Sequence, residues 1–180
     1  VIVPADENEI KAWLPVIAAH SGPVFLRLSR SGSAPIHEAI PEVRIGKGFQ
    51  LRDGSDLTII AVGIMVARAM AAADALESEG IQAAVVEMAS IKPLDKALIL
   101  KSARETGAIV TAEEHSVLGG LGSAVAEVLA QNNPVPIEMV GIQDTFARTG
   151  PAPDILMDAY GLSVANIVEA SKKSILRKKN

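Results

Sequence analysis

Two arginines near the start of the chain have side chains suited to binding an anion. Arg27 and Arg30 lie at the end of a β-rich segment, residues 24–28. In open α/β sheets, ligands gather beyond the carboxyl ends of the strands, and the guanidinium fork matches the geometry of phosphate or carboxylate. The spacing alone leaves two interpretations open: a ligand-binding role, or arginines that simply face water.

A glycine-rich segment, residues 119–124 (GGLGSA), is a second candidate for anion binding. It follows a predicted strand and opens a predicted helix, so its backbone N–H groups have the placement of an anion cradle. The segment lacks the third small residue of a dinucleotide fingerprint, because Val125 stands there, and it lacks the Gly-Lys-Ser/Thr of a phosphate loop. We therefore favour a packing role, in which the glycines let the helix start approach its sheet.

The acidic residues and histidines form no catalytic set that a motif supports. Glu113 and His115 share one side of a predicted strand end, and a hydrogen-bonded structural role is favoured over a metal site because no second histidine lies nearby. His20 and His37 fall in predicted loops, which indicates solvated side chains.

A polar turn follows the last predicted strand. Residues 144–148 (DTFAR) carry Asp144 and Arg148, which are polar enough for a binding site. The short separation of these opposite charges favours an ion-paired turn over such a site.

The composition excludes several classes of protein. The 180 residues are 49% hydrophobic and carry 17 basic against 21 acidic side chains, which suits one folded domain or slightly more. Cysteine is absent, so disulfides, thiolate metal sites and a cysteine nucleophile are excluded. The net charge of −4 and the few aromatic residues argue against nucleic-acid binding. No apolar run reaches the ~18 residues of a membrane span, and no leader sequence is visible, so we expect a cytoplasmic protein.

A regular alternation of strands and helices begins at Leu57 and positions most of these side chains. Apolar strands are predicted to begin near residues 57, 83, 108 and 136, with helices between them and two more helices after Pro153. Right-handed crossovers then give a mostly parallel sheet with helices on both faces. The sequence therefore predicts a three-layer α/β/α domain.

The residues before this alternation are predicted to form strand, helix and strand over 1–30. Asp6 and Glu9 have the spacing of a capping box, in which each side chain reaches the other's backbone N–H. Pro15 predicts a kink or an early stop in the helix. Residues 31–48 are rich in proline and glycine, as linkers are. The chain opens with Val1, already within a predicted strand. This favours the interpretation that it is a piece of a longer polypeptide over the alternative of a domain that begins on its first strand.

Several segments together resemble the C-terminal part of transketolases, particularly the split type whose subunits are encoded separately. The resemblance runs in one order along nearly the whole chain, through these segments: VPAD (3–6), GPVFLRLSR (22–30), KPLD (92–95), TAEEH (111–115), GGLGSAVAE (119–127), GIQD (141–144) with Phe146 and Gly150, and YGL (160–162).

The resemblance implies a division into domains. Residues 1–30 would end a pyrimidine-binding domain, 31–43 would be a linker, and 44–180 would form the transketolase C-terminal domain. Thiamine diphosphate in this family lies between two subunits, held through Mg²⁺ by a Gly-Asp-Gly…Asn motif and activated by a glutamate of the pyrimidine-binding domain. Neither the motif nor the segment for that glutamate is present here. The intact enzyme is therefore expected to use thiamine diphosphate and Mg²⁺, and this chain alone is expected to bind neither.

The function implied is transfer of a two-carbon ketol unit between sugar phosphates, as in the pentose phosphate pathway. Arg30 matches the family's Leu-Ser-Arg motif, whose arginine contacts the substrate phosphate, although Ser31 stands where the family often has Gln. No catalytic or metal-binding residue carries over. The chain is thus expected to be a structural and dimerisation unit, inactive alone, in a homodimer or with an N-terminal transketolase subunit.

Three alternatives remain open at this point. Two have the same architecture: a 1-deoxyxylulose-5-phosphate synthase, and the beta subunit of the first component of a 2-oxo-acid dehydrogenase. The third is a free-standing interaction or anion-sensing module that uses residues 119–123.

Overall fold

The computed structural model describes residues 1–30, 32–150 and 152–178, and its centre is a five-stranded sheet in the order β1-β3-β2-β4-β5. Ser31 lies outside the described residues. Strands β2 to β5 run parallel, and β1 pairs antiparallel with β3. The mostly parallel sheet is therefore confirmed. The strands are β1 Phe49–Arg52, β2 Leu57–Ala61, β3 Ala83–Glu87, β4 Ile109–Ser116 and β5 Ile137–Ile142.

The central strands form where the sequence has continuous apolar runs. Every residue of β2 and β3 is buried, as expected for strands covered by helices on both faces. Ile59 on β2 pairs with Val85 of β3 on one side and Val110 of β4 on the other. The edge strand β1 was not predicted, because its four partly exposed residues are too few to show a period.

The described residues contain six helices besides the sheet, and five of these form its outer layers. Helices α2, α5 and α6 contribute to the apolar core on one face, and α3 and α4 to the core on the other. The three-layer α/β/α arrangement is confirmed. The helices are α1 Glu7–Ala19, α2 Met65–Ser78, α3 Lys96–Thr106, α4 Leu121–Asn132, α5 Pro153–Ala159 and α6 Val164–Lys178.

Helix α1 does not stop at Pro15, contrary to the expectation of an early end there. It continues to Ala19. Proline has no N–H group, so the carbonyl group of Lys11 lacks its usual helical hydrogen bond. Both residues are exposed. Water can therefore hydrate that carbonyl group, which reduces the cost of the interruption.

The first residues of the chain lie across the carboxyl ends of β2 and β3. The backbone N–H of Val3 donates to the carbonyl of Ala89, just after β3, at 2.9 Å. The Val3 side chain is buried against Gly63, just after β2, where an added Cβ would lie 3.0 Å from Val3 Cγ1. Gly63 also has a φ of +58°, which favours glycine.

The two strands predicted within residues 1–30 are reduced to single bridges. Ile2 forms a parallel bridge with Leu26 and an antiparallel bridge with Ser90. Pro4 and Pro23 flank these segments and have no N–H to donate, so the hydrogen-bonded ladder cannot extend through them.

The linker is packed against α1. Among residues 32–48 there is no helix or strand, but the N–H groups of Ile36 and His37 both donate to Asp6 Oδ2 at 2.7 Å. No helix in the described part of the chain is long and apolar enough to cross a membrane.

Candidate functional site

Arg30 lines a pocket of about 250 Å³ between the start of α1 and the segment that follows Leu26. The side chain is exposed, and no hydrogen bond or ion pair joins it to another described residue. An unpaired guanidinium at the rim of a pocket is available to an anion. We call this the Arg30 pocket; it is lined by Pro4, Ala5, Glu7, Ile10, Leu28, Ser29, Arg30, Gly32, Ser33 and Ile64.

Arg27, the other candidate for anion binding, has partners within the chain. Its Nη2 donates to the backbone carbonyl of Glu114 at 2.8 Å and lies 3.4 Å from the Glu114 carboxylate. The structure therefore separates the two arginines: Arg27 joins residues 1–30 to the end of β4, whereas Arg30 has no partner among the described residues.

A cluster of two buried glutamates, Glu9 and Glu87, with the largely buried His37 adjoins the wall of the Arg30 pocket. One ligand-forming atom from each residue lies within 4.8 Å of the others. His37 Nε2 is 2.9 Å from Glu87 Oε2. The prediction of a solvated His37 was wrong, since its side chain is only 10% exposed, whereas His20 is exposed. We call these three residues the carboxyl cluster.

Glu9 connects this cluster to the pocket wall. Its Oε2 accepts a hydrogen bond from the N–H of Ala5 at 2.6 Å, and its Oε1 accepts one from Trp13 Nε1 at 2.9 Å. The predicted capping box is thus only half formed: Asp6 accepts from the Glu9 N–H at 2.8 Å, but Glu9 reaches Ala5 instead of Asp6.

Burial changes the acid–base behaviour of these carboxyl groups. Burial, together with the adjacent Glu87 carboxyl, raises the pKa of Glu9 to about 9. Burial also raises the pKa of Glu87 to about 7. Asp6 behaves oppositely: burial opposes its ionisation, but the backbone N–H groups of His37, Glu9 and Ile36 lower its pKa overall.

The glycine-rich segment binds an anion that belongs to the chain itself. The buried carboxylate of Glu113 accepts the N–H of Leu121 at 2.7 Å and of Gly122 at 2.8 Å, at the start of α4. A Cβ on Gly120 would lie 2.0 Å from Glu113 Oε2, so glycine is required there. The packing role is borne out, and Glu113 already holds N–H groups that the anion-sensing alternative would need.

The expectation of an ion pair within the turn after β5 was wrong. Neither Asp144 nor Arg148 forms a salt bridge with any described residue. The turn is instead fixed by a backbone contact, in which the Arg148 N–H donates to the Tyr160 hydroxyl at 2.6 Å. Asp144 has a φ of +31°, a conformation that Asp adopts more easily than most residues.

The described residues do not fit a complete thiamine diphosphate and Mg²⁺ site. Mg²⁺ takes octahedral oxygen ligands and keeps several waters. The one cluster of metal-ligating side chains found among the described residues is the carboxyl cluster, which is buried and includes an imidazole. The Gly-Asp-Gly…Asn motif is also missing from the sequence.

Comparison with known proteins finds the same family by sequence and by structure. The model for "Transketolase, C-terminal domain" matches residues 46–167. The chain is similar to a split-gene transketolase described as an inactive beta4 tetramer, with a TM-score of 0.95 and 47% identity over 98% of this chain and 58% of that one. It is also similar to the transketolase from Leishmania mexicana, with a TM-score of 0.75 and 25% identity over 99% of this chain and 25% of that one.

Curated relatives include both transketolases and synthases. A 6-deoxy-6-sulfo-D-fructose transketolase subunit from a Clostridium strain is 45% identical over 99% of this chain and 55% of that protein. A putative transketolase C-terminal section from Methanocaldococcus jannaschii is 45% identical over 96% of this chain and 56% of that protein. A 1-deoxy-D-xylulose-5-phosphate synthase from Heliobacterium modesticaldum is 42% identical over 96% of this chain and 27% of that protein. The chain thus spans about half the length of these transketolase relatives.

Proposed function

The chain belongs to the transketolase C-terminal domain family, and from that premise we propose that it is part of a thiamine diphosphate-dependent transketolase. In the intact enzyme it would help to transfer a two-carbon ketol unit between sugar phosphates. The cofactor would supply the carbanion chemistry, and its binding groups would lie on other polypeptide. The observation that carries the proposal is the close structural match to a split-gene transketolase over 98% of the chain.

Within that enzyme, Arg30 would bind the phosphate of the substrate. Its guanidinium has no partner among the described residues and lines the Arg30 pocket. A charge-assisted hydrogen bond to phosphate would fix the end of the substrate remote from the reacting carbons. The rest of the chain would act as scaffold, because no other unpaired cation lines this pocket among the described residues.

We expect Arg30→Ala to lower kcat/KM for a phosphorylated ketose donor about 100-fold, mostly through KM, since loss of charged hydrogen bonds costs about 2–3 kcal/mol. An unphosphorylated ketose should be affected little. The measurement is steady-state kinetics of the intact enzyme with both donors. Arg44→Ala is the matched control, because Arg44 is exposed and its guanidinium pairs with no described residue other than Glu42. Equal losses with both donors would contradict the phosphate role.

We further propose that the chain functions in an assembly, as a homodimer or with an N-terminal transketolase subunit. Leu118 and Phe146 follow the ends of the paired strands β4 and β5 and are 62% and 97% exposed. Exposed apolar side chains that follow neighbouring strands suit a covered interface. Size-exclusion chromatography with light scattering tests this: self-association should weaken in Phe146→Ser, and a wild-type chain that stays monomeric without and with an N-terminal subunit would contradict the proposal.

A synthase is the second candidate function, on the strength of the 42% identity to a 1-deoxy-D-xylulose-5-phosphate synthase. The two reactions differ in their donors. An intact enzyme that condenses pyruvate with an aldose phosphate and releases carbon dioxide is a synthase; one that requires a ketose donor is a transketolase.

A further inference from the structure

The carboxyl cluster contains a buried oxygen that no donor satisfies. Glu87 is fully buried, and its Oε2 contacts His37, but its Oε1 receives no hydrogen bond from any N–H or hydroxyl group in the described part of the chain. The carboxyl group of Glu9 is its other neighbour in the cluster, with an oxygen within 4.8 Å of one of Glu87. Two ionised carboxylates in this position would repel each other and leave that oxygen unpaired, which is costly in a buried site.

One proton between the two carboxyl groups removes both problems. A protonated carboxyl is a donor, so it can satisfy a neighbouring carboxylate oxygen. The imidazole of His37 then hydrogen-bonds the other oxygen of Glu87. The indole N–H of Trp13 and the backbone N–H of Ala5 donate to the oxygens of Glu9. Asp6 also acts electrostatically on Glu87; its carboxylate is held by backbone N–H groups, which lower its pKa.

We propose that Glu9 and Glu87 share one proton at neutral pH, and that this proton fastens α1, together with the wall of the Arg30 pocket that it carries, to strand β3. Glu9 lies on α1 and Glu87 ends β3, so the contact joins residues 1–30 to the sheet. Loss of the proton would place two charges in contact and loosen this junction. Its bearing on phosphate binding rests on the proposed function, but the contact itself does not.

The sole tryptophan of the chain reports on this proton directly, since Trp13 donates to Glu9. Emission of Trp13, excited where Tyr160 does not absorb, should show one titration step with a midpoint near pH 9. Glu9→Gln should abolish the step. Glu87→Gln should move it down by more than one pH unit, because the neighbouring negative charge is gone. A wild-type chain without the step, or a step that persists in Glu9→Gln, would overturn the proposal.

Equilibrium unfolding provides a second, independent measurement. Both pKa values are raised in the folded state, so the stability that Glu9 and Glu87 contribute is fully present below their ordinary pKa of 4.5 and is lost as the pH rises through about 7 and 9. Between pH 7 and pH 9 the folded chain should hold one more proton than the unfolded chain, and the unfolding constant should rise about tenfold per pH unit. This dependence should disappear in Glu9→Gln, while contributions from the N-terminal amine and other groups cancel in the comparison.

Zinc chloride separates the shared proton from a metal site, because two carboxylates and an imidazole are also zinc ligands. We expect zinc to leave the Trp13 titration and the melting temperature unchanged. The contrary result is that zinc raises the melting temperature with a stoichiometry of one ion per chain. If a chelator reversed that rise and Glu87→Gln removed it, the cluster would be a metal site and the shared proton would be overturned. None of these measurements uses a sugar phosphate, so failure of the proposed function would leave their interpretation intact.

Discussion

Replacing Glu113 with alanine is expected to lower the free energy of unfolding by about 3–5 kcal/mol. The substitution removes two charge-assisted hydrogen bonds and leaves the N–H groups of Leu121 and Gly122 buried without a partner, each of which costs about 1–3 kcal/mol. It also removes a negative charge from the positive end of the α4 dipole. Chemical denaturation followed by circular dichroism measures the effect.

The neighbouring residue gives a matched control for this prediction. Glu114 is partly exposed and its carboxylate lies 3.4 Å from Arg27, so Glu114→Ala should cost less than about 1 kcal/mol. Glu113→Gln preserves shape but turns an amide group towards N–H donors, and it should lie between the two. Equal effects of the alanine substitutions at Glu113 and Glu114 would show that the helix start is not stabilised by the buried carboxylate.

Replacing Trp13 with alanine is expected to lower the free energy of unfolding by about 4 kcal/mol, as for other large buried aromatic side chains. Trp13 is fully buried and packs in the small core that Ile2, Val43 and Ala89 share. Its loss would also remove the indole donor to Glu9. Circular dichroism during urea unfolding measures the change, since the variant has no tryptophan emission.

Leu14 is the control for Trp13, because it is the next residue of the same helix and is 53% exposed. Leu14→Ala should change stability by less than about 0.5 kcal/mol. Limited proteolysis should in addition cut Trp13→Ala within residues 1–30 more rapidly than wild type, because the core under α1 would be weakened. Unchanged stability and cleavage would mean that this core does not hold the segment.

The strands and helices of the α/β domain were predictable because each has a local signal. Asp95 caps α3 through the N–H of Leu98, and Gly107 ends that helix with a φ of +67°; both residue types are favoured at these positions. Pro153 begins α5, and Ser163 accepts the N–H of Asn166 at the start of α6. These features depend on residues within a few positions of one another, so local chemistry decides them.

The carboxyl cluster was not predictable, because its residues come from three separate segments and each had a simpler local interpretation. Glu9 fits a capping box, His37 sits in a polar loop, and Glu87 ends an apolar strand. Only the packing of α1 and the linker on the sheet brings them together. Glu113 was likewise interpreted from strand alternation, and its contact with α4 depends on the path of the chain between β4 and the helix.

The position of the first four residues has a consequence for where small molecules can bind. In the strand order of this sheet, the chain passes from β2 to β3 on one side and then crosses from β3 to β4 on the other side of β2, so the topological switch point lies between β2 and β4. Doubly wound sheets commonly receive nucleotides or other ligands in the crevice outside this point. Here the side chain of Val3 packs against Gly63 at the end of β2, and the carboxylate of Glu113 accepts a hydrogen bond from the N–H of Leu121 at the start of α4, after β4. The chain's own residues therefore occupy the crevice in which sheets of this kind commonly bind a ligand.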